Sequence, residues 1–232
     1  MIGAMLLMYS AAAAAAPDCS FPNGDKTSAK EMTANIKREK GLCGLPWRAL
    51  KRVVAEPAGR QQIDAAYDAL ASEHPERSGS AATQKAYVAA AAGHPEAMLS
   101  IADANVRDHP EDKSLANMSC FARGRYGFDV ENAMPYCNAA VDGTGRQGWT
   151  LVNRGRVELA LGLYKEALAD FNEALGNREM RDMQHKMLVD AAYGRGIARL
   201  KLGDAGGAAD TRAAIAARSS VVLDFEDAGI RP

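Results

Sequence analysis

The sequence lacks most of what would mark it as an enzyme or a nucleic-acid binder. It has no basic excess: 28 Lys and Arg stand against 29 Asp and Glu, a formal charge of −1. A protein that grips phosphate backbones needs a clear cationic surplus, so no nucleic-acid partner is expected. There is no G-x-S-x-G, no H-E-x-x-H and no phosphate-binding glycine loop. "GTGRQG" at Gly143 follows no strand and reads as a linker. No C-x-x-C pair occurs, and none of the four histidines stands at ligand spacing from a cysteine, so neither a metal nor another cofactor is expected. No catalytic residue is assigned. Aromatic residues make up only 6 % of the chain and β-branched residues are sparse, whereas alanine is abundant. That mixture favours helices, because alanine loses no side-chain entropy in a helix and lets two helices come close.

The N-terminal run "MIGAMLLMYSAAAAAA" is uncharged, apolar and too short for a stable span. It ends in small residues and reads as an export signal cleaved after Ala15, although no Lys or Arg precedes the apolar run. The expected location is periplasmic or secreted, with no membrane span left after cleavage. In an oxidising compartment the four cysteines, Cys19, Cys43, Cys120 and Cys137, suggest two disulfides, for which three connectivities exist.

Ser28 and Glu31 have capping-box spacing, and Gly41 is expected to stop the helix that they start. Pro46 opens a second helix, "WRALKRVVAE", with Trp47, Leu50 and Val54 on one apolar face. Asp25 to Arg60 holds nine basic and four acidic residues. This stretch could contact an anionic envelope surface, or be a solvated face docked on an acidic repeat domain. "EHPE", "GHPE" and "DHPE" follow at Glu73, Gly93 and Asp108. Each proline is expected to open a helix, placing His74, His94 and His109 at helix ends.

A period then emerges. Ala133, Cys137 and Ala140 recur as Ala167, Phe171 and Ala174 after 34 residues. Gly155, Gly162, Ala167, Phe171 and Ala174 recur as Gly196, Gly203, Ala208, Arg212 and Ile215 after 41, the excess fitting extra turns around "NREMRDM". Paired helices at such a period form a solenoid of hairpins. Gly155 and Gly196 are expected to face Ala167 and Ala208 at the helix crossings, with Phe171 filling the gap between successive hairpins.

"NRGRVELALGLYKEALADFNEALG" (153–176), "YGRGIARLKLGDAGGAADTRAAI" (193–215) and "CFARGRYGFDVENAMPYCNAAV" (120–141) resemble the tetratricopeptide repeat (TPR) family. The resemblance implies an all-α, right-handed solenoid of antiparallel helix hairpins with an N-terminal helical extension. The expected organisation is a signal (1–15), the extension (16–60), a degenerate repeat (61–111), TPR-like repeats (112–217) and a capping tail (218–232). It also implies a protein or peptide partner in a concave groove lined by Met118, Arg125, Trp149, Asn153, Arg156, Tyr193, Ile197 and Lys201. The function that follows is a non-catalytic interaction scaffold of the cell envelope. The other readings are an accessory or regulatory subunit of an envelope enzyme and, further off, an envelope hydrolase. On the repeat alignment Cys120 and Cys137 fall where paired helices approach closely. They are expected either to bond, leaving Cys19 with Cys43, or to remain two small buried hydrophobes.

Overall fold

The computed structural model describes residues 21–38, 45–177 and 185–232. Among them every regular element is helical: twelve α-helices and a few 3₁₀ turns, with no strand. The expectations for the signal, Gly41, Cys19, Cys43 and "NREMRDM" fall largely or wholly outside the described residues.

The first helix, α1 (Ala29–Arg38), is opened by the expected capping box. The Ser28 N–H donates to Glu31 Oε2 at 2.7 Å, and the Glu31 N–H donates back to Ser28 Oγ at 3.3 Å. The Ser28 hydroxyl, then the Ser28 N–H and the Asn23 amide, all donating to the Glu31 carboxylate, hold it below its ordinary range. In α2 (Trp47–Val54) the buried stripe is Ala49, Leu50, Val53 and Val54. Trp47 remains 43 % exposed, contrary to the sequence reading: it is the first residue of the helix, directly after an extended Pro46, and the buried stripe begins at Ala49. The cations of this segment find local partners: Arg48 meets Asp25 at 3.4 Å and Arg52 donates to the Thr27 carbonyl at 2.7 Å.

Helix α3 (Pro57–Glu73) runs straight across the boundary expected at residue 60. Met32, Leu50, Ile63, Tyr67 and Val88 share one apolar cluster, so the N-terminal helices share a core with α3 and the helix that follows it. Of the three His-Pro-Glu turns only the second opens an α-helix at proline, with Pro95 first in α5 (Pro95–Asp108). Pro75 opens a 3₁₀ turn ahead of α4 (Ser78–Ala91), and Pro110 lies in a turn ahead of α6 (Ala116–Tyr126). The histidines do sit at helix ends, each beside the glutamate two residues on, at 3.4, 3.4 and 3.8 Å.

The later helices are α7 (Met134–Gly143), α8 (Gly148–Ala160), α9 (Tyr164–Gly176), α10 (His185–Lys201), α11 (Gly207–Ala217) and the short α12 (Val221–Glu226). They pack pairwise, α4 with α5, α6 with α7, α8 with α9 and α10 with α11. The first helices of three of these pairs also touch, α6 with α8 and α8 with α10, which sets those three helices side by side.

One position ties each of three pairs across its turn. In the α6/α7 pair it is the Cys120–Cys137 disulfide, with Cα atoms 4.8 Å apart. At the positions that follow by 34 and 41 residues stand Arg154 and Arg195. Each makes a two-pronged bond to an aspartate on the second helix, Asp170 at 2.6 and 2.8 Å and Asp210 at 2.8 and 2.8 Å. Of the two outcomes left open for these cysteines, the bonded one is present. The span of 17 residues should make the bond worth about 3 kcal/mol in the chain-entropy account. Reduction, or Cys120→Ser with Cys137→Ser, should therefore lower the urea midpoint, and a midpoint within error of the oxidised protein would refute this.

The glycines behave differently from expectation. Nearest to a Cβ placed on Gly155 is not Ala167 but the Phe171 ring, and Gly196 closes on Gly207 and Thr211, not on Ala208. The crossings are shifted because the aromatic ring itself occupies the narrow point in the α8/α9 pair, while in α10/α11 two glycines allow backbone-to-backbone approach.

Candidate ligand-binding face

The eight residues expected to line a groove do not form one open surface. Met118, Asn153, Arg156, Tyr193 and Ile197 are all buried. Lys201 is exposed at the far end of α10, and Trp149 is half-buried at the start of α8. Arg125 is 16 % exposed and already paired. The open cationic groove is thus corrected: the chain's own tail covers much of it.

That tail follows from its residue pattern. Val221, Phe225 and Ile230 are spaced to fall on one side, and all three are buried against α8, α10 and α11. The Phe225 ring meets Tyr193 edge-on with centroids 5.1 Å apart, and the Arg156 guanidinium lies 4.0 Å above the ring's centre. Acidic residues between the apolar ones turn towards arginines. Arg125 donates to Asp224 and to Asp227, both at 2.8 Å, and Arg218 donates to Asp224 and Asp190. Burial pushes the Asp224 carboxyl up, but the Arg218 hydrogen bond and the Arg125 charge outweigh it and hold the group below its ordinary range. Burial pulls the Arg156 guanidinium down despite Asp190 at 3.5 Å, and its Nε and Nη2 lack hydrogen bonds.

Beyond the tail the same helix face stays open. A cleft of about 670 Å³ lies between α4, α6 and α8. Met118 and Leu115 give it apolar ground, Tyr87 and Trp149 stand on its outer helices, and Ser80, Thr83, Gln84, Asn117 and Gln147 add hydroxyls and amides. Asn153 Nδ2 donates to Asn117 Oδ1 at 2.9 Å, joining α8 to α6 beside it.

The closest approach to a reactive pair is elsewhere. Glu158 and Asp170 share Arg154 in the interior of the α8/α9 pair, with Glu158 only 4 % exposed and its Oε2 without a partner. Burial, then the Asp170 charge, pushes the Glu158 carboxyl up to about 7. Neither residue lines the cleft, so no substrate reaches them from it. Their consequence is for stability. A carboxyl at about 7 when folded and 4.5 in its ordinary state binds more protons folded than unfolded across that window. Stability should fall as pH rises from about 4.5 to 7, by up to roughly 3 kcal/mol for this group. Glu158→Gln should flatten that slope and raise the melting temperature at pH 8. A wild-type melting temperature that climbs through this window identically in both proteins would contradict it.

Among the described residues no group of three or more His, Cys, Asp or Glu is placed to hold a metal ion, and no helix is long and apolar enough to cross a membrane. Compared with known proteins, the chain matches no protein-family model and no curated protein.

Proposed function

We propose that this protein is a non-catalytic interaction scaffold of the cell envelope, a TPR-like right-handed solenoid that holds a segment of a partner protein along its concave face. The observation that carries the reading is the tail itself. The face made by α6, α8 and α10 already holds a peptide of this chain, with Phe225 seated beside Tyr193 and Asp224 and Asp227 on Arg125. A surface that fits this segment fits others of the same chemistry, an aromatic residue flanked by acids. The local repeat pattern of residues 120–215 and the signal-like N-terminus support the solenoid and the envelope location. Cross-ties from one first-helix position in three successive pairs add to the repeat argument.

The test uses a labelled peptide of residues 219–232 and a chain ending at Arg218. The shortened chain should bind it with Kd at or below about 100 µM, and the full chain at least tenfold more weakly. If the shortened chain does not fold, the full chain carrying Phe225→Ala takes its place. Equal failure of both chains to bind would remove the peptide reading, as would turnover of peptidoglycan or ester substrates by the protein alone.

A further inference from the structure

The open cleft differs in chemistry from the face that the tail covers. Where a peptide lies, the surface offers Arg125, Arg156 and Arg218 and a seat for an aromatic ring. The cleft between α4, α6 and α8 offers none of this. No Lys, Arg, Asp or Glu lines it, in a chain of which 25 % is charged. Its polar lining consists of hydroxyls and amides, which both donate and accept.

Several of these groups are unspent. Thr83 accepts from Asn105, Thr144 is bonded to the Ala140 carbonyl, and Gln147 accepts from the Trp149 indole at 2.7 Å. Ser80, Gln84 and the Tyr87 hydroxyl make no hydrogen bond within the described chain, and Asn117 uses only its oxygen. They stand along α4 and α6, on a surface that also carries the rings of Tyr87 and Trp149. A ligand for such a site is uncharged, rich in hydroxyls or amides that reciprocate donor and acceptor, and has flat C–H faces for the rings. A phosphate or nucleic acid would find no cation here, and an acyl chain would bury too many polar groups. A peptide is better served one pair further along.

We propose that the α4/α6/α8 cleft binds a neutral oligosaccharide, with Tyr87 and Trp149 covering sugar faces and Gln84, Asn117 and Ser80 bonding to its hydroxyls. The volume of about 670 Å³ is within the range of small-molecule sites and accommodates a few sugar rings. This site is separate from the peptide reading and does not depend on it.

The test is calorimetric titration of the folded protein with a panel of uncharged tetrasaccharides: β-1,4-linked N-acetylglucosamine, β-glucan, α-glucan and galactan. At least one should bind with Kd between roughly 10 µM and 1 mM, unchanged within twofold by added salt because no charge is involved. Trp149→Ala should abolish the heat and Trp149→Phe restore part of it. Tyr87→Phe, which removes one hydroxyl and leaves the ring, should weaken binding at least threefold at an unchanged melting temperature. In a Trp47→Phe background Trp149 is the sole tryptophan, and its emission should shift with the same midpoint. The proposal is overturned if no member of the panel binds at up to about 10 mM. It is equally overturned if binding is strongly salt-dependent, if an uncharged Ser/Gln peptide binds while the sugars do not, or if binding survives Trp149→Ala.

Discussion

Gly194→Val is expected to destabilise the protein by about 3 kcal/mol or more, a fall of roughly 6–12 °C in melting temperature for a chain of this size. The Phe171 ring is fully buried and lodged between the first helices of two successive pairs, with Gly155 of α8 on one side and Gly194 of α10 on the other. A Cβ on Gly194 would stand 2.3 Å from Phe171 Cζ and 2.7 Å from both Cε atoms. A ring end can normally swing away from such a clash. Here a Cβ site on Gly155 is already within 2.9–3.1 Å of the same atoms, so withdrawal in that direction is blocked. Glycine inside a helix costs about 1 kcal/mol relative to alanine, and that gain only partly offsets the overlap. Adding Phe171→Leu should recover part of the loss, since a smaller side chain vacates the slot. Gly176→Ala, where a Cβ meets nothing within 4 Å, serves as the control and should be neutral or slightly stabilising. Urea denaturation with an unchanged slope is the measurement, and an unaltered midpoint for Gly194→Val would mean that the ring is not held between these helices.

This slot was half-legible in the sequence. The 34-residue step singled out Phe171 as a filler between pairs, because a bulky residue recurring among small ones has to occupy a recurring gap. The same step placed Cys120 against Arg154 and Cys137 against Phe171; the first-helix position makes a cross-tie in three pairs, but the arginines reach Asp170 and Asp210, not the Phe171 register. The partner of the small crossing residue was misjudged, because spacing on one helix says nothing about the vertical offset of its neighbour. Pro75 and Pro110 were misjudged for a related reason: a fixed φ suits a 3₁₀ or plain turn as well as a first helical turn.

The expected groove was the least legible part. Arg125 pairs with Asp224 and Asp227 across separations of 99 and 102 residues. No periodic pattern reports a contact of that reach. Read locally, Val221, Phe225 and Ile230 form a short apolar stripe of the sort that caps a last helix. Only the three-dimensional structure brings that stripe onto α8 and α10, against Arg156, Tyr193 and Ile197, which the repeat alignment had left facing a ligand. The open cleft beside Met118 and Trp149 lies upstream of the best repeats.

Phe225→Ala should cost about 3–5 kcal/mol, the usual range for emptying a buried aromatic site. Three features place it in the upper half. The ring is fully buried, its edge-on contact with Tyr193 is lost, and the cavity opens beneath Arg156, whose Nε and Nη2 have no hydrogen bond to fall back on. A guanidinium kept from water then loses the aromatic face that partly compensated for its burial. The loss should appear first in the tail, because α12 is short and held by side chains and not by a long helix of its own. Trypsin acting after Arg218 should therefore release the 219–232 segment from Phe225→Ala at concentrations that leave the wild type intact. Acid should do the same to the wild type. The Asp224 carboxyl is held below its ordinary 3.8, so its contribution is complete above that value and disappears as pH falls through the lower, folded one. On acidification below pH 3.8 the amides of residues 221–230 should then lose protection before those of α8 and α9 do. If the tail and those helices instead lose protection together, in both the variant and acid, the tail is an inseparable part of the stack and cannot vacate the face for any partner.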